Sequence, residues 1–221
     1  FRSGEEYSCD FLLNGKNPEI IRLTRKYILP SAAASTAMAY QLLETPPVDP
    51  ALLLHTLQVA AQSLGIARGI CMVDFLVDNR GIVLLELAPR PGGDCLPQLL
   101  RAGLGLDILG LTLDHAADIP INLPITVHKP GLVGLRLFAP PPGGVISRLD
   151  VAALQNDHRV MEVRLSKDVG HRVVMPPEEY FSRILGYALF MPAPGQPADE
   201  QCIELLGRIL VRYNHPEGIA V

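Results

Sequence analysis

The chain has 221 residues, a net charge of -4, 48% hydrophobic and 19% charged residues. This is the composition of a globular protein with one large domain or two small ones, without the basic footprint of a nucleic-acid binder. No apolar run reaches the roughly 18–20 residues of a membrane helix, so neither nucleic acid nor membrane is an expected partner.

The elements follow in chain order. Glu6 to Leu13 reads as a strand, Asn14-Gly15-Lys16-Asn17 as a turn, and Glu19 to Ile28 as the hairpin partner. Pro30 to Asp49, rich in Ala, Ser, Thr and Pro, reads as a loop with at most a short helix. Asp49-Pro50 is a helix start, an N-cap followed by proline in the first turn. Leu53, Leu57, Ala60 and Leu64 then share one face, and Gly65 ends the helix. A second hairpin joins Gly69–Asp78 to Ile82–Ala88. Asp94 and Asp107 are expected to cap helices through Leu96–Leu104 and to about His115.

The aperiodic, Pro-rich stretch from Asp118 to Gly131 marks a boundary, giving domains 1–128 and 129–221. Beyond it come a strand (Leu132–Phe138), a Pro-Pro-Pro-Gly-Gly turn and a short helix near Asp150–Asn156. Strands at Val160–Ser166, Arg172–Met175 and Arg183–Phe190 follow, then a helix from Asp199 to Tyr213. Strands and helices mix without strict alternation, so the class is α+β. The four cysteines form no CxxC pair and read as buried thiols in a reducing, cytoplasmic setting. The chain opens on Phe1 without an initiator Met, and so reads as a piece of a longer protein.

Two carboxylates stand out because each sits inside an apolar strand: Asp74 in Cys71–Val77 and Glu86 in Ile82–Leu87. Burying a lone charge costs several kcal/mol unless it is paired. A three-residue turn Asn79-Arg80-Gly81, with Gly81 at positive φ, pairs Asp78 with Ile82 and sets Asp74 opposite Glu86 on one face. A two-residue turn would put the acids on opposite faces. Opposed carboxylates repel unless a cation lies between them, and Mg²⁺ commonly takes one or two carboxylates plus substrate phosphates. Arg90, four residues after Glu86, suits bidentate phosphate or carboxylate binding, or pins the loop by pairing with Asp94 or Glu86. Gly92-Gly93 before a helix favours an anion or serves only as a turn.

Residues 68 to 110, from Arg68-Gly69-Ile70 to Asp107-Ile108, resemble the signature end of an ATP-grasp domain. In that superfamily two strands each give an acidic metal ligand, and the second leads into Glu-x-Asn-x-Arg. Carbamoyl phosphate synthetase, biotin carboxylase and the bacterial L-amino acid ligases are similar. Asp74 and Glu86 match the two ligands, while Ala88 replaces the usual Asn. Gly4-Glu5-Glu6-Tyr7-Ser8-Cys9-Asp10 resembles the entry strand. Arg136 lies on a strand resembling one that carries a catalytic Arg in biotin carboxylase. The C-terminal region looks like the small terminal domain of amino acid ligases.

The resemblance implies the C-terminal part of an ATP-grasp domain plus a small α+β domain, cytoplasmic, with a homodimer among the assemblies it allows. The implied reaction is ADP-forming joining of a small-molecule carboxylate to an amine through an acyl phosphate. ATP and Mg²⁺ or Mn²⁺ are the implied cofactors. Asp74 and Glu86 hold the metal, Lys26 reaches phosphate, and Arg90 and Arg136 are catalytic. Arg90, Gly92 and Gly93 hold substrate. The family's upstream nucleotide-binding lysines and adenine hinge lie before Phe1, so the chain alone is expected to bind ATP weakly and to be inactive. One alternative is a degenerate, non-catalytic ATP-grasp module binding a metabolite or protein. A metal hydrolase is another, but it wants His ligands, and neither strand has one.

Overall fold

The computed structural model describes residues 3–15, 17–30, 36–121, 123 and 127–214. Lys16 of the first turn, residues 31–35 of the expected loop, and residues 122 and 124–126 of the expected boundary lie outside this set. The chain divides into two units, residues 1–27 with 40–133 and residues 28–39 with 134–221. Residues 28–39 thus belong with the second unit, where a reading by chain order put them in the first.

The first unit is built on four antiparallel strands in the order β5-β4-β1-β2. They are β1 (Glu5–Asn14), β2 (Pro18–Ile28), β4 (Arg68–Asp78) and β5 (Gly81–Ala88). Alternation along β1 and β4 sorts their residues by face. Tyr7, Cys9, Phe11, Cys71, Val73 and Phe75 form one apolar layer with Leu53, Leu57 and Ala61 of helix α1 (Pro50–Ser63). Burying each leucine fully contributes roughly 1.5–3 kcal/mol. The Asp49 side chain caps α1 by accepting from the Leu52 N–H, and Gly65, at φ +71°, lets the chain leave. The buried stripe runs through Ala61 rather than Ala60, and Leu64 is exposed.

The other face carries Glu6, Ser8, Asp10, Arg22, Thr24, Lys26 and Asp74. Helices α2 (Leu96–Leu104) and α3 (Ile108–Ala116) complete the unit. Asp107 caps α3 as expected, accepting from the Gly110 N–H. Asp94 does not cap α2: it sits at φ +54°, and the N-cap position falls to Cys95, which makes no side-chain cap bond.

Strand β3 (Ala37–Leu42) is divided between the units. It replaces part of the expected loop. Its residues are nearly all buried, so it lacks the alternation that marks a half-exposed strand.

The second unit has the sheet strands β6 (Val133–Phe138), β10 (Ile184–Phe190) and β8 (Val160–Leu165), in that order. A separate three-stranded sheet orders β11 (Leu210–Asn214), β7 (Gly144–Asp150) and β9 (Arg172–Val173). Helix α4 covers Ala152–Gln155 and α5 covers Ala198–Leu206. β7 was not expected. The expected helix to Tyr213 stops at Leu206, because residues 210–214 pair with β7 instead. Gly207 follows the last helical residue, and continuing through it would cost about 1 kcal/mol relative to alanine. Arg159 ties the region of β8 to α5, bonding Asp157 through Nε and Nη2 and Glu204 through Nη1 and Nη2. The Arg159 guanidinium holds the Asp157 carboxyl well below the usual carboxylate range.

All four cysteines are buried thiols, as expected. Among the described residues no single helix is long and apolar enough to cross a membrane; α2 and α3 pass that test only as a pair bent by 100°.

Candidate active site

Asp74 and Glu86 are Cα partners across the β4–β5 ladder. The turn that leads to this pairing is not the expected one. Asp78 pairs with Gly81, so the turn has two residues, Asn79-Arg80. The Asp78 carboxylate accepts from the Arg80 N–H at 2.8 Å, and Gly81 takes φ +111°. That register alone would set Asp74 opposite Leu85 and turn Glu86 to the other face. A β-bulge intervenes: Phe75 pairs with Leu84, Asp74 with Glu86, and Leu85 is the extra residue. Packing confirms the change of parity. Ile82 and Leu84 lie against the α1 layer before the bulge, and Leu87 does so after it. Glu86 therefore faces the same side as Asp74. Glu86 is exposed and makes no ion pair or side-chain hydrogen bond among the described residues.

Beside them lies Lys26, on β2 opposite Glu6. Its Nζ is 2.7 Å from Asp74 Oδ2 and 3.3 Å from Glu6 Oε2, and its side chain is only 11% exposed. Burial pulls the ammonium pKa down, but Asp74 and Glu6 together outweigh it and leave the group above its ordinary value. Lys26 is thus an internal counter-ion of the carboxylate face rather than a solvated strand end.

Deeper on the same face is a network the sequence reading missed. Arg22 Nε donates to Asp10 Oδ2 at 2.7 Å, and Nη1 donates to Thr24 Oγ1 at 2.8 Å and to the Ser8 carbonyl at 3.0 Å. Both charged side chains are essentially inaccessible. The other Asp10 oxygen accepts from the Gly92 N–H at 2.9 Å. A signal was present: Glu6, Ser8 and Asp10 alternate with Tyr7, Cys9 and Phe11, as Arg22, Thr24 and Lys26 do with Leu23 and Arg25.

This network also engages Gly92, expected to hold substrate: its amide donates to Asp10 in this structure. Its lack of a side chain is also required, because a Cβ there would lie 2.5 Å from Arg22 Nη2 and 2.6 Å from Leu96 Cδ1. Arg22 is fixed by its hydrogen bonds and cannot give way. Gly92→Ala is therefore expected to lower stability by about 1–3 kcal/mol, read as a shift of the urea midpoint; an unchanged midpoint would show that the loop relaxes freely. Gly93 differs, being exposed with open space where a Cβ would go.

Arg90 is exposed, and its Nη1 donates to the Pro91 carbonyl at 3.1 Å. It forms no ion pair among the described residues, so it does not pin the loop through Glu86 or Asp94. Asp94 instead accepts from the Tyr40 hydroxyl at 3.2 Å. Arg136 is in the second unit, buried, with Nη1 donating to the Ala37 carbonyl at 2.8 Å.

The donor set suits a hard divalent cation whose remaining ligands come from phosphate and water. Asp74 and Glu86 offer two carboxylates on one face, and Ala88, partner of Met72, offers none. Among the described residues no three His, Cys, Asp or Glu side chains cluster as a closed metal site.

No protein-family profile matches the chain, and no curated protein matches it in sequence. Solved structures do match in fold. The L-amino acid ligase from Bacillus licheniformis superposes with a TM-score of 0.75 at 16% identity, over 97% of this chain and 53% of its own. Phosphoribosylglycinamide synthetase from Anaerococcus prevotii gives 0.70 at 13% identity, over 97% of this chain and 55% of its own. The biotin carboxylase domain of Hydrogenobacter thermophilus 2-oxoglutarate carboxylase, solved with MgADP, ADP and bicarbonate, gives 0.60 at 14% identity, over 94% and 46%. The chain spans about half the length of the structures it matches. These are ATP-grasp ligases, and the chain has their fold over that half, as the sequence resemblance implied.

Proposed function

We propose that this chain is the part of an ATP-dependent carboxylate–amine ligase that holds the metal and the transferring phosphate. The observation that carries the reading is the Asp74–Glu86 pair, brought to one face by a bulge in β5. The fold shared with known ligases supports it.

In this reading Asp74 and Glu86 hold Mg²⁺ or Mn²⁺ that arrives with ATP. When bound, the metal neutralises charge on the phosphates during transfer of the γ-phosphoryl group to a substrate carboxylate. The chain's own residues do the rest. Lys26 exchanges its contact with Asp74 for an incoming anion as that carboxylate is taken up. Arg90, exposed and without an ion-pair partner, meets the transferring group or the anion that forms when the amine attacks. Gly93 leaves room for close approach to the α2 entry. The buried Asp10–Arg22 pair fixes the Gly92 amide, and through it the segment from Glu86 to α2.

The test is metal dependence in the whole enzyme, with ADP formation followed across a panel of amino acids. Glu86→Gln removes one ligand charge while keeping shape. It is expected to raise the Mg²⁺ concentration for half-maximal rate by about tenfold or more, a loss of at least ~1.4 kcal/mol. Unchanged Mg²⁺ dependence would sink the metal assignment. Ala88, together with the pairing of Asp74 to Lys26, favours a second reading, a degenerate module that binds a metabolite without turnover. Ligand binding with no ADP formation under any condition would select it.

A further inference from the structure

The three-stranded sheet of the second unit ends on an open strand. β11 pairs with β7 on one side and is the last strand on the other. Apart from that ladder, its backbone makes no hydrogen bond among the described residues. The N–H and C=O groups turned away from β7 are therefore open to another extended chain. Register sorts the side chains of this sheet by face. Ile146 and Val173 are buried on the inner face, and Tyr213 lies opposite Ile146. Val145 pairs with both Arg172 and Asn214, and Arg148 with Arg212, so these lie on the outer face. A bulge between Arg212 and Tyr213 leaves Ser147 unpaired and exposed. Three arginines thus share the outer face with one carboxylate, Asp150, which Arg148 meets at 3.1 Å. Arg172 and Arg212 are exposed and make no ion pair or side-chain hydrogen bond among the described residues. Like charges directly opposite on a ladder are destabilising, so Arg212 gains nothing from Arg148.

Beside this strand runs a groove of about 590 Å³, lined by the Pro140–Gly144 turn, by Ser147 and by Val211–Asn214. Ligand pockets occupy about 300–1,000 Å³. The wall of this one is fixed. The Tyr213 hydroxyl donates to the Pro140 carbonyl at 2.6 Å. Gly143 takes φ +90°, and a Cβ there would lie 2.9 Å from the Val173 carbonyl oxygen. The lining takes in consecutive residues of β11, so an occupant lies along the strand rather than at one point. Ser147, Arg212 and Asn214 offer it side-chain groups that have no partner among the described residues.

We propose that β11 and this groove dock an extended acidic segment of a partner protein, which adds a strand to the sheet and sets a carboxylate against Arg212. Main-chain hydrogen bonds supply the fit along the strand. The guanidinium supplies the choice of charge, because its N–H groups match carboxylate oxygens in direction and sign. On the added strand the residues flanking the acid fall opposite Val211 and Tyr213, on the inner face, and are apolar. A second copy of this chain is the poorer occupant: paired antiparallel about the strand centre, it would set Arg212 against Arg212. The inference does not depend on the ligase reading, since none of these residues belongs to the Asp74–Glu86 site.

The experiment is fluorescence anisotropy of the purified protein with the labelled peptide Ser-Thr-Val-Glu-Val-Thr-Ser, whose symmetry keeps Glu opposite Arg212 in either strand direction. Saturable binding is expected, about tenfold or more tighter than for the same peptide with Lys at its centre. Arg212→Gln should weaken binding of the Glu peptide about tenfold or more and abolish the preference over Lys. Arg164→Gln removes the same charge from an exposed position of β8, in the other sheet, and should bind as the parent does. A peptide with Pro in place of both Val keeps the carboxylate but loses main-chain donors, and should bind about tenfold or more weakly. The proposal is overturned if the Glu peptide does not bind or binds no better than the Lys peptide. It is overturned equally if Arg212→Gln binds as the parent does, or if the Pro peptide binds as well as the Val peptide, which would reduce the site to a charge contact. Sedimentation showing a dimer that the peptide does not dissociate would give the edge to a second copy and overturn it too.

Discussion

Arg90→Lys is expected to lower kcat on the order of 10²–10³-fold in the whole enzyme, the usual cost of losing one group that stabilises developing charge. KM for the carboxylate substrate should move far less. Lysine keeps the charge but loses the planar fork that meets two oxygens at once. Such a split, kcat falling with KM nearly constant, is the signature of an interaction made mainly in the transition state. The structure sharpens the expectation. Arg90 is exposed, forms no ion pair among the described residues and has its side-chain hydrogen bond with the adjacent Pro91 carbonyl. The substitution should therefore leave unfolding within about 0.5 kcal/mol of the parent, as at most surface positions. A near-normal kcat in a variant with a clearly lower Tm would make Arg90 a loop support and end its assignment to the chemistry.

Asp10→Asn is expected to cost about 3–5 kcal/mol of stability, as breaking a buried pair does when one charge is left behind. Arg22 has no exposed route for its guanidinium, and Asp10 is its only carboxylate partner among the described residues. The double variant Asp10→Leu with Arg22→Met should recover much of the loss, because it leaves no unpaired charge in the interior. It should not recover activity, since the Gly92 amide loses the acceptor that fixes the loop between Glu86 and α2. Urea unfolding checks the first part and ADP formation the second. A loss below ~1 kcal/mol for Asp10→Asn would show that water or loop movement compensates Arg22.

Several features were legible because they depend on short-range chemistry. The β1–β2 hairpin, the Asp49 and Asp107 caps, and the lengths of α1, α2 and α3 follow from neighbours a few residues apart. Helix α5 was over-extended for the same reason. Ile203, Leu206, Leu210 and Tyr213 recur at helical spacing, yet residues after Gly207 find a better use as a strand against β7. That choice depends on a partner some sixty residues earlier in the chain, Asp150 opposite Leu210, which no local window contains.

The geometry of the Asp74–Glu86 pair shows the same division more sharply. The sequence by itself singled out Asp74 and Glu86, because a carboxylate inside an apolar strand must be paired or reach water; Asp74 meets Lys26, and Glu86 is exposed. It did not determine how they meet. The inferred three-residue turn is really a two-residue one, and the extra residue sits at Leu85 instead, so one error of register is offset by a bulge seven residues away from Asp78. Tertiary packing decided this. Ile82, Leu84 and Leu87 all gain by lying on the α1 layer, and only an unpaired residue between Leu84 and Glu86 lets them do so. The partners of the charged groups were settled the same way. Lys26 meets Asp74, and Asp10 meets Gly92, across strands and loops far apart in the chain, where burial leaves a charge no water to turn to and makes it take whatever opposite charge or N–H the fold brings within reach.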